Sequence, residues 1–262
     1  MIIERFLPPM RDVPLPLPKV DRDFALFFLK KNLPSFVWNT LRILENNPTS
    51  LPDTSIILQG RTVSGMRIDD MVQVKNFGDA AKFLADAVTN DSFALSIPMA
   101  CGIHKFTGKE EALEWGQLRK HQVHVGDCTY IPPAPEEIPP LLQGGFDDLN
   151  GEFADPIERA LNTFAFMSKL QPFYDANKRT AILMMNGVLI SNGFHPLFIP
   201  AKAEAELNTA LTGLYENGNS DPLKRVFCTA AESLYPLDVD YGERYAPGLP
   251  PGEEDSALSP GL

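Results

Sequence analysis

Apolar residues recur three and four positions apart over Phe24, Phe27 and Phe28, and again, beyond Pro34, over Val37, Leu41 and Leu44. That period predicts two helices, Asp21–Leu33 and Ser35–Asn46, each burying one face. Ser50–Gly60 predicts only a short helix or turn, because a small polar cluster leads into Ser55–Leu58 and Gly60 stops it. Helical spacing returns over Asp69–Val88, Ser92–His104 and Lys109–Trp115. From Gln122 the period falls to two: Val123 and Val125 face one way, Gly126-Asp127 offers a turn, and Thr129-Tyr130-Ile131 returns before Pro132-Pro133. A short β-hairpin is expected there.

Pro135–Leu149 is weakly helical, interrupted by Pro139-Pro140 and Gly144-Gly145. Asp155–Leu170 has a strong start, with Asp155 as N-cap and Pro156 at the first position. Arg179–Asn192 is apolar nearly all round, which predicts a central buried helix, and Gly193 ends it. Glu204–Asn217 and Asp221–Leu234 complete a mainly α fold: a helical bundle carrying one short β-hairpin flap.

Proline placement divides the chain. The 24 prolines are about 9% of 262 residues, against a usual share of about 5%. They crowd an arm (Pro8, Pro9, Pro14, Pro16, Pro18) and a tail (Pro247, Pro250, Pro251, Pro260). The expected organisation is a proline-rich arm over 1–20, extended against the domain or mobile, then a helical domain over 21–237. Within that domain lie N-terminal helices (21–116), a flap (121–133), a core (155–193) and C-terminal helices (203–235). An acidic flexible tail follows over 238–262.

The net charge of −11 argues against a general nucleic-acid or anionic-membrane binder, whose phosphates need Lys and Arg. Six acids (Asp238, Asp240, Glu243, Glu253, Glu254, Asp255) against Arg244 place much of that charge in the tail. Cys101, Cys128 and Cys228 have no metal-like or paired spacing and read as reduced thiols. With no basic-then-apolar leader and no long apolar run, the expectation is a soluble, cytoplasmic protein.

Chemistry concentrates in Gln171-Pro172-Phe173-Tyr174-Asp175-Ala176-Asn177-Lys178-Arg179-Thr180, where the central helix begins. Small residues let backbone N–H groups converge, the helix start adds partial positive charge, and Lys178 and Arg179 add full charges. That describes a phosphate cradle, with Asp175 suited to Mg²⁺ bridging phosphates. A capped helix start with a surface acid–base pair fits the same residues, so on chemistry alone both stay open.

This run resembles the Fic/Doc (Fido) signature, His-x-Phe-x-Asp/Glu-Gly/Ala-Asn-Gly/Lys-Arg, set between two helices. Gln117–Pro133 is similar to that family's lead-in and hairpin flap, and Ser55-Ile56-Ile57-Leu58-Gln59-Gly60 to its inhibitory motif, Ser/Thr-x-x-x-Glu-Gly/Asn. The resemblance extends from about Ser55 to Tyr235. It implies a Fic-type helical bundle that binds ATP with Mg²⁺ and transfers AMP to a protein hydroxyl. Asp175 would coordinate the metal, Asn177, Lys178 and Arg179 would hold phosphates, and Phe173 would anchor the loop. Cys128, Thr129, Tyr130 and Ile131 would dock a target segment by strand pairing.

Three departures bear on activity. Gln171 stands where the family has its general-base His, and an amide cannot accept the proton. Ala176-Asn177-Lys178-Arg179 matches the Doc branch, which transfers phosphate instead of AMP. Gln59 and Ile182 replace the Glu and second Arg of the inhibitory ion pair, both uncharged, so that switch is not expected to operate. The sequence therefore supports an impaired or altered transferase, or alternatively a catalytically inactive binding or regulatory module. Expected partners are a nucleotide and a protein target, with neither nucleic acid nor membrane; a homodimer is compatible with either alternative.

Overall fold

A computed structural model of the chain describes residues 1–126 and 128–236. Among them, ten α-helices run in the order α1 (Arg22–Lys31), α2 (Leu33–Glu45), α3 (Leu51–Leu58), α4 (Ile68–Thr89), α5 (Ile97–Thr107), α6 (Ile138–Glu152), α7 (Pro156–Leu170), α8 (Asn177–Ser191), α9 (Glu204–Asn217) and α10 (Asp221–Leu234). Among the described residues no helix is long and apolar enough to cross a membrane.

The core is the α7–α8 pair, joined by residues 171–176, the first six of the chemical run. Every residue of α7 from Ala160 to Leu170 is buried, as is α8 from Arg179 to Ile190. Asp155 caps α7 through Ile157 N, 2.7 Å from its carboxylate, as expected from Asp-Pro. The remaining helices shield this pair, α4, α5 and α6 most closely, so the loop between α7 and α8 hangs from the most buried elements of the molecule.

The arm completes the core. Ile3, Leu7, Met10, Leu15 and Leu17 are all buried, and Asn162 on α7 holds Met10 on both sides, accepting from its N–H and donating to its carbonyl, each at 2.8 Å. Prolines suit this path because they bring no N–H that would need a partner. Leu15 and Leu17 close tight turns by donating to Val13 and Leu15 carbonyls at 2.8 Å.

Two expectations are corrected. Lys109–Trp115 is a series of turns, not a helix. Glu110 and Gly116 take φ of 66° and 68°, and the Gly116 N–H turns to His104 Nδ1 at 3.0 Å; those bonds outweigh local propensity. Pro135–Leu149 is sturdier than its composition suggests. Pro139 and Pro140 sit in the first turn of α6, where their missing N–H groups cost nothing, and Gly145 admits the Phe166 ring, which a Cβ would meet at 2.2 Å.

Paired strands are not found among the described residues of 121–133. Side chains close the flap at its base instead: Arg119 donates to His121 O (3.0 Å) and Pro133 O (2.5 Å), and Gln122 to Pro132 O (2.9 Å). Pro132 and Pro133 cannot donate to a ladder, and an isolated two-stranded hairpin is marginal in any case. Asp127 and the acidic tail expected over 238–262 lie outside the described residues.

Candidate functional site at the start of α8

Gln171 ends α7 in the left-handed conformation (φ 51°). Its side chain is 8% exposed and turned inward, Nε2 donating to Ser168 O at 2.6 Å and Oε1 accepting from Asn177 Nδ2 at 2.8 Å. Asn177 is spent on the loop as well: Oδ1 accepts from Phe173 N (2.9 Å) and Nδ2 reaches Phe173 O (3.0 Å). These bonds hold residues 171–177 as one closed ring, with Phe173 fully buried beneath it. Asn177 therefore shapes the loop with its side chain and has only its backbone N–H to offer a phosphate.

Ala176, also left-handed at φ 54°, opens α8, and no side chain caps this helix. Alanine is among the poorest N-caps, so the first-turn N–H groups are left for another acceptor. Beside them Lys178 is half-buried, and its ammonium forms no ion pair among the described residues. Asp175 is the exposed acid of the loop, its side chain 55% accessible; Oδ1 accepts from Ala176 N at 2.5 Å and lies 3.6 Å from Arg179 Nη2.

Arg179 is placed differently from the sequence expectation. Its guanidinium is 1% exposed and surrounded by acceptors: Glu111 takes Nη1 and Nη2 in a two-pronged pair at 2.7 and 2.9 Å, Thr107 O accepts at 3.1 Å, and Glu45 Oε1 lies 2.9 Å from Nε. The Nε contact is an ion pair without hydrogen-bond alignment. Burial pushes the Glu45 carboxyl up even against the pull of Arg179. A phosphate would have to displace these carboxylates to reach Arg179, so of the three residues expected to hold phosphate by side chain only Lys178 is free to do so.

His104, Arg119, Glu45 and Glu111 were missed in the sequence as site residues. His104 is buried and stacks on Phe173, centroids 3.8 Å apart; Nε2 donates to Asp175 O at 3.2 Å while Nδ1 accepts from Gly116 N. Arg119 Nε donates to Gln171 O at 2.7 Å, tying the flap base to the loop. Arg119 lies within the Gln117–Pro133 lead-in singled out in the sequence; the others come from elements far apart in sequence.

Burial lowers the His104 pKa from 6.5 to about 4, and burial does the same to His195. Both rings bind a proton more readily when unfolded, so their contribution to stability is present above pH 6.5 and is lost as pH falls toward 4. Denaturant titrations are expected to show stability falling between pH 6.5 and 5, by at most about 3 kcal/mol for His104 over the full range. Constant stability across that interval would contradict the buried neutral ring.

The residues expected to dock a target segment lie beyond Arg119, with Thr129 and Ile131 exposed and Cys128 and Tyr130 partly buried. Tyr130 turns inward, stacked on Tyr215 (6.1 Å) under the Lys169 ammonium. Of the supposed inhibitory motif, Ser55 and Gly60 belong to α3 and its following turn, and Gln59 is exposed; no bond joins Gln59 to the α8 start.

A Fic/DOC family model matches residues 94–189, from before α5 to near the end of α8. The protein adenylyltransferase fic-1 of Caenorhabditis briggsae is 33% identical over 182 residues, 67% of this chain and 35% of that protein. Protein adenylyltransferase Fic of Drosophila willistoni is 28% identical over 199 residues, 74% of this chain and 39% of that one. The chain thus spans little more than a third of the length of these relatives. The solved structure of Fic-1 from C. elegans superposes with a TM-score of 0.69 at 28% identity, covering 81% of this chain and 66% of that one. A Fic domain-containing signaling protein from Bacteroides thetaiotaomicron shares the fold, with a TM-score of 0.66 at 16% identity. The α7–loop–α8 unit, the sequence relatives and the shared architecture agree that this chain belongs to the Fic/DOC family.

Proposed function

We propose that the chain binds ATP with Mg²⁺ at the start of α8 and transfers AMP, or in the manner of the Doc branch a phosphoryl group, to a protein hydroxyl. The uncapped α8 N-terminus beside the unpaired Lys178 carries this proposal, since open first-turn N–H groups and a cation form an anion site. The names of the relatives, adenylyltransferases, support the choice of donor.

Mg²⁺ fits the residues present. Among the described residues no three His, Cys, Asp or Glu side chains are arranged to hold a metal by themselves, and Mg²⁺ characteristically takes one or two carboxylates with phosphate oxygens and water. Asp175, exposed on the loop, is the carboxylate suited to it. The metal would supply charge neutralisation at the phosphates. Lys178 and the α8 amides bind and orient the nucleotide, and the Gln171–Asn177 ring keeps the loop in shape as charge develops. Cys128–Ile131 form the docking edge for a target segment.

The alternative, a nucleotide-binding or regulatory module without transfer, is favoured by the inward, bonded Gln171 and by the acids on Arg179. Incubation with Mg²⁺ and ATP labelled at either the α or the γ phosphate separates these functions. Protein-bound α label is expected for AMP transfer and γ label for phosphate transfer; ATP binding without label in any protein favours the module. Absence of ATP binding refutes transfer and nucleotide binding alike.

A further inference from the structure

We propose that His104 is a positioning residue for the nucleotide: from beneath the loop it holds the Asp175–Ala176 peptide in the orientation that lets a phosphate sit at the α8 start. This rests on the function proposed above and adds a residue of α5 to that site.

Two bonds fix the imidazole. Gly116 N–H donates into Nδ1 at 3.0 Å, so that nitrogen carries no proton, and the ring hydrogen sits on Nε2, which donates to Asp175 O at 3.2 Å. The ring is fully buried and stacked on Phe173. Gly108 leaves it room, because a Cβ there would meet Nε2 at 2.4 Å.

The direction of the Nε2 bond decides which atoms face a ligand. His104 lies in the core, so the Asp175 carbonyl points inward, and in a trans peptide the N–H points the opposite way. Ala176 N–H therefore faces the outer side of the loop, where the exposed Asp175 carboxylate accepts it. The uncapped first-turn amides of α8 follow directly. Turning the peptide over would bring a carbonyl oxygen to the place where the phosphate binds, and its partial negative charge repels an anion.

The loop does not hold this peptide by itself. Ala176 has φ 54°, a left-handed conformation that is costly for a residue with a Cβ, and the turned peptide would return it to negative φ. The Asn177 side chain bonds Gln171 and Phe173 and reaches neither Asp175 O nor Ala176 N. Among the described residues His104 is the one donor to Asp175 O. Without it the alanine relaxes, and ATP affinity falls with the fraction of chains left in the competent orientation.

Calorimetric titration of the full chain with ATP and Mg²⁺ tests this, since binding is read without transfer. His104→Asn keeps an acceptor for Gly116 but does not reach Asp175 O; it is expected to weaken ATP binding by about 10-fold, the upper range for one hydrogen bond. His104→Gln, long enough to donate to Asp175 O, is expected to keep most of the affinity. Gly108→Ala pushes the ring off Asp175 O and should weaken binding likewise, and it stands in should His104→Asn fail to fold. Ala176→Gly removes the cost of the left-handed residue and is expected to restore affinity several-fold in His104→Asn or Gly108→Ala, with a smaller gain in the unsubstituted chain. Unchanged affinity in His104→Asn and Gly108→Ala overturns the proposal and leaves nucleotide binding standing. So does a loss in His104→Gln as large as that in His104→Asn, or an equal gain from Ala176→Gly with and without the His104 bond. An unsubstituted chain that binds no ATP overturns the function on which the proposal rests.

Discussion

Gln171→His is expected to raise label transfer from ATP to other proteins by about 10²- to 10⁴-fold, the usual contribution of a positioned general base. The backbone accepts the change, since His is among the side chains that tolerate the left-handed region in which residue 171 sits (φ 51°). The inward bonds also suit an imidazole. One ring nitrogen can donate to Ser168 O as the Gln amide does now at 2.6 Å, and that donation leaves the other nitrogen unprotonated and able to accept a proton. Asn177 retains its two bonds to Phe173 and keeps the loop in place. ATP affinity should stay within a factor of a few, because Lys178 and the α8 amides are untouched. Comparing initial rates of labelling in lysate at matched ATP occupancy makes the measurement. A substituted chain that binds ATP equally and labels no faster would show that the missing base is not what limits transfer.

The long helices were legible because their signals are local. Asp155-Pro156 marks a helix start wherever it lies, and a segment as apolar as Ile182–Ile190 has to be central. Lys109–Trp115 misled for the opposite reason: its conformation is set by His104 and Arg179, which draw Gly116 and Glu111 out of helical positions. The same holds for the site. Asp175-Ala176-Asn177-Lys178-Arg179 announces an anion cradle by composition, but composition does not say where a guanidinium points. Arg179 turns inward because Glu45, at the end of α2, and Glu111, in the turns after α5, converge on it from 134 and 68 positions away. No local pattern encodes that meeting. The flap was read as paired strands from its alternation, while its closure depends on Arg119, whose guanidinium gathers carbonyls from both ends of it and from the loop.

Arg179→Ala is expected to destabilise the fold by about 3 kcal/mol, toward the lower end of the usual cost of removing one partner from a buried ion pair. The lower end is appropriate because the acids left behind are not sealed in: the Glu111 and Glu45 side chains are 25% and 19% exposed and can recruit water. The loss should depend on pH. Burial already holds the Glu45 carboxyl above its ordinary value, and removing the guanidinium raises it further, so in the substituted chain the folded state takes up a proton that the unfolded state releases. A carboxyl whose folded pKa is raised opposes folding as pH climbs through that pKa. The gap between parent and Arg179→Ala is therefore expected to be wider at pH 8 than at pH 5. Arg179→Lys, which keeps the charge but not the two-pronged geometry on Glu111, should fall between them. Urea denaturation at both pH values measures all three chains. A loss below about 1 kcal/mol at pH 7, the range of exposed pairs, would mean that the acids around Arg179 are solvated and that the guanidinium is available to a phosphate after all.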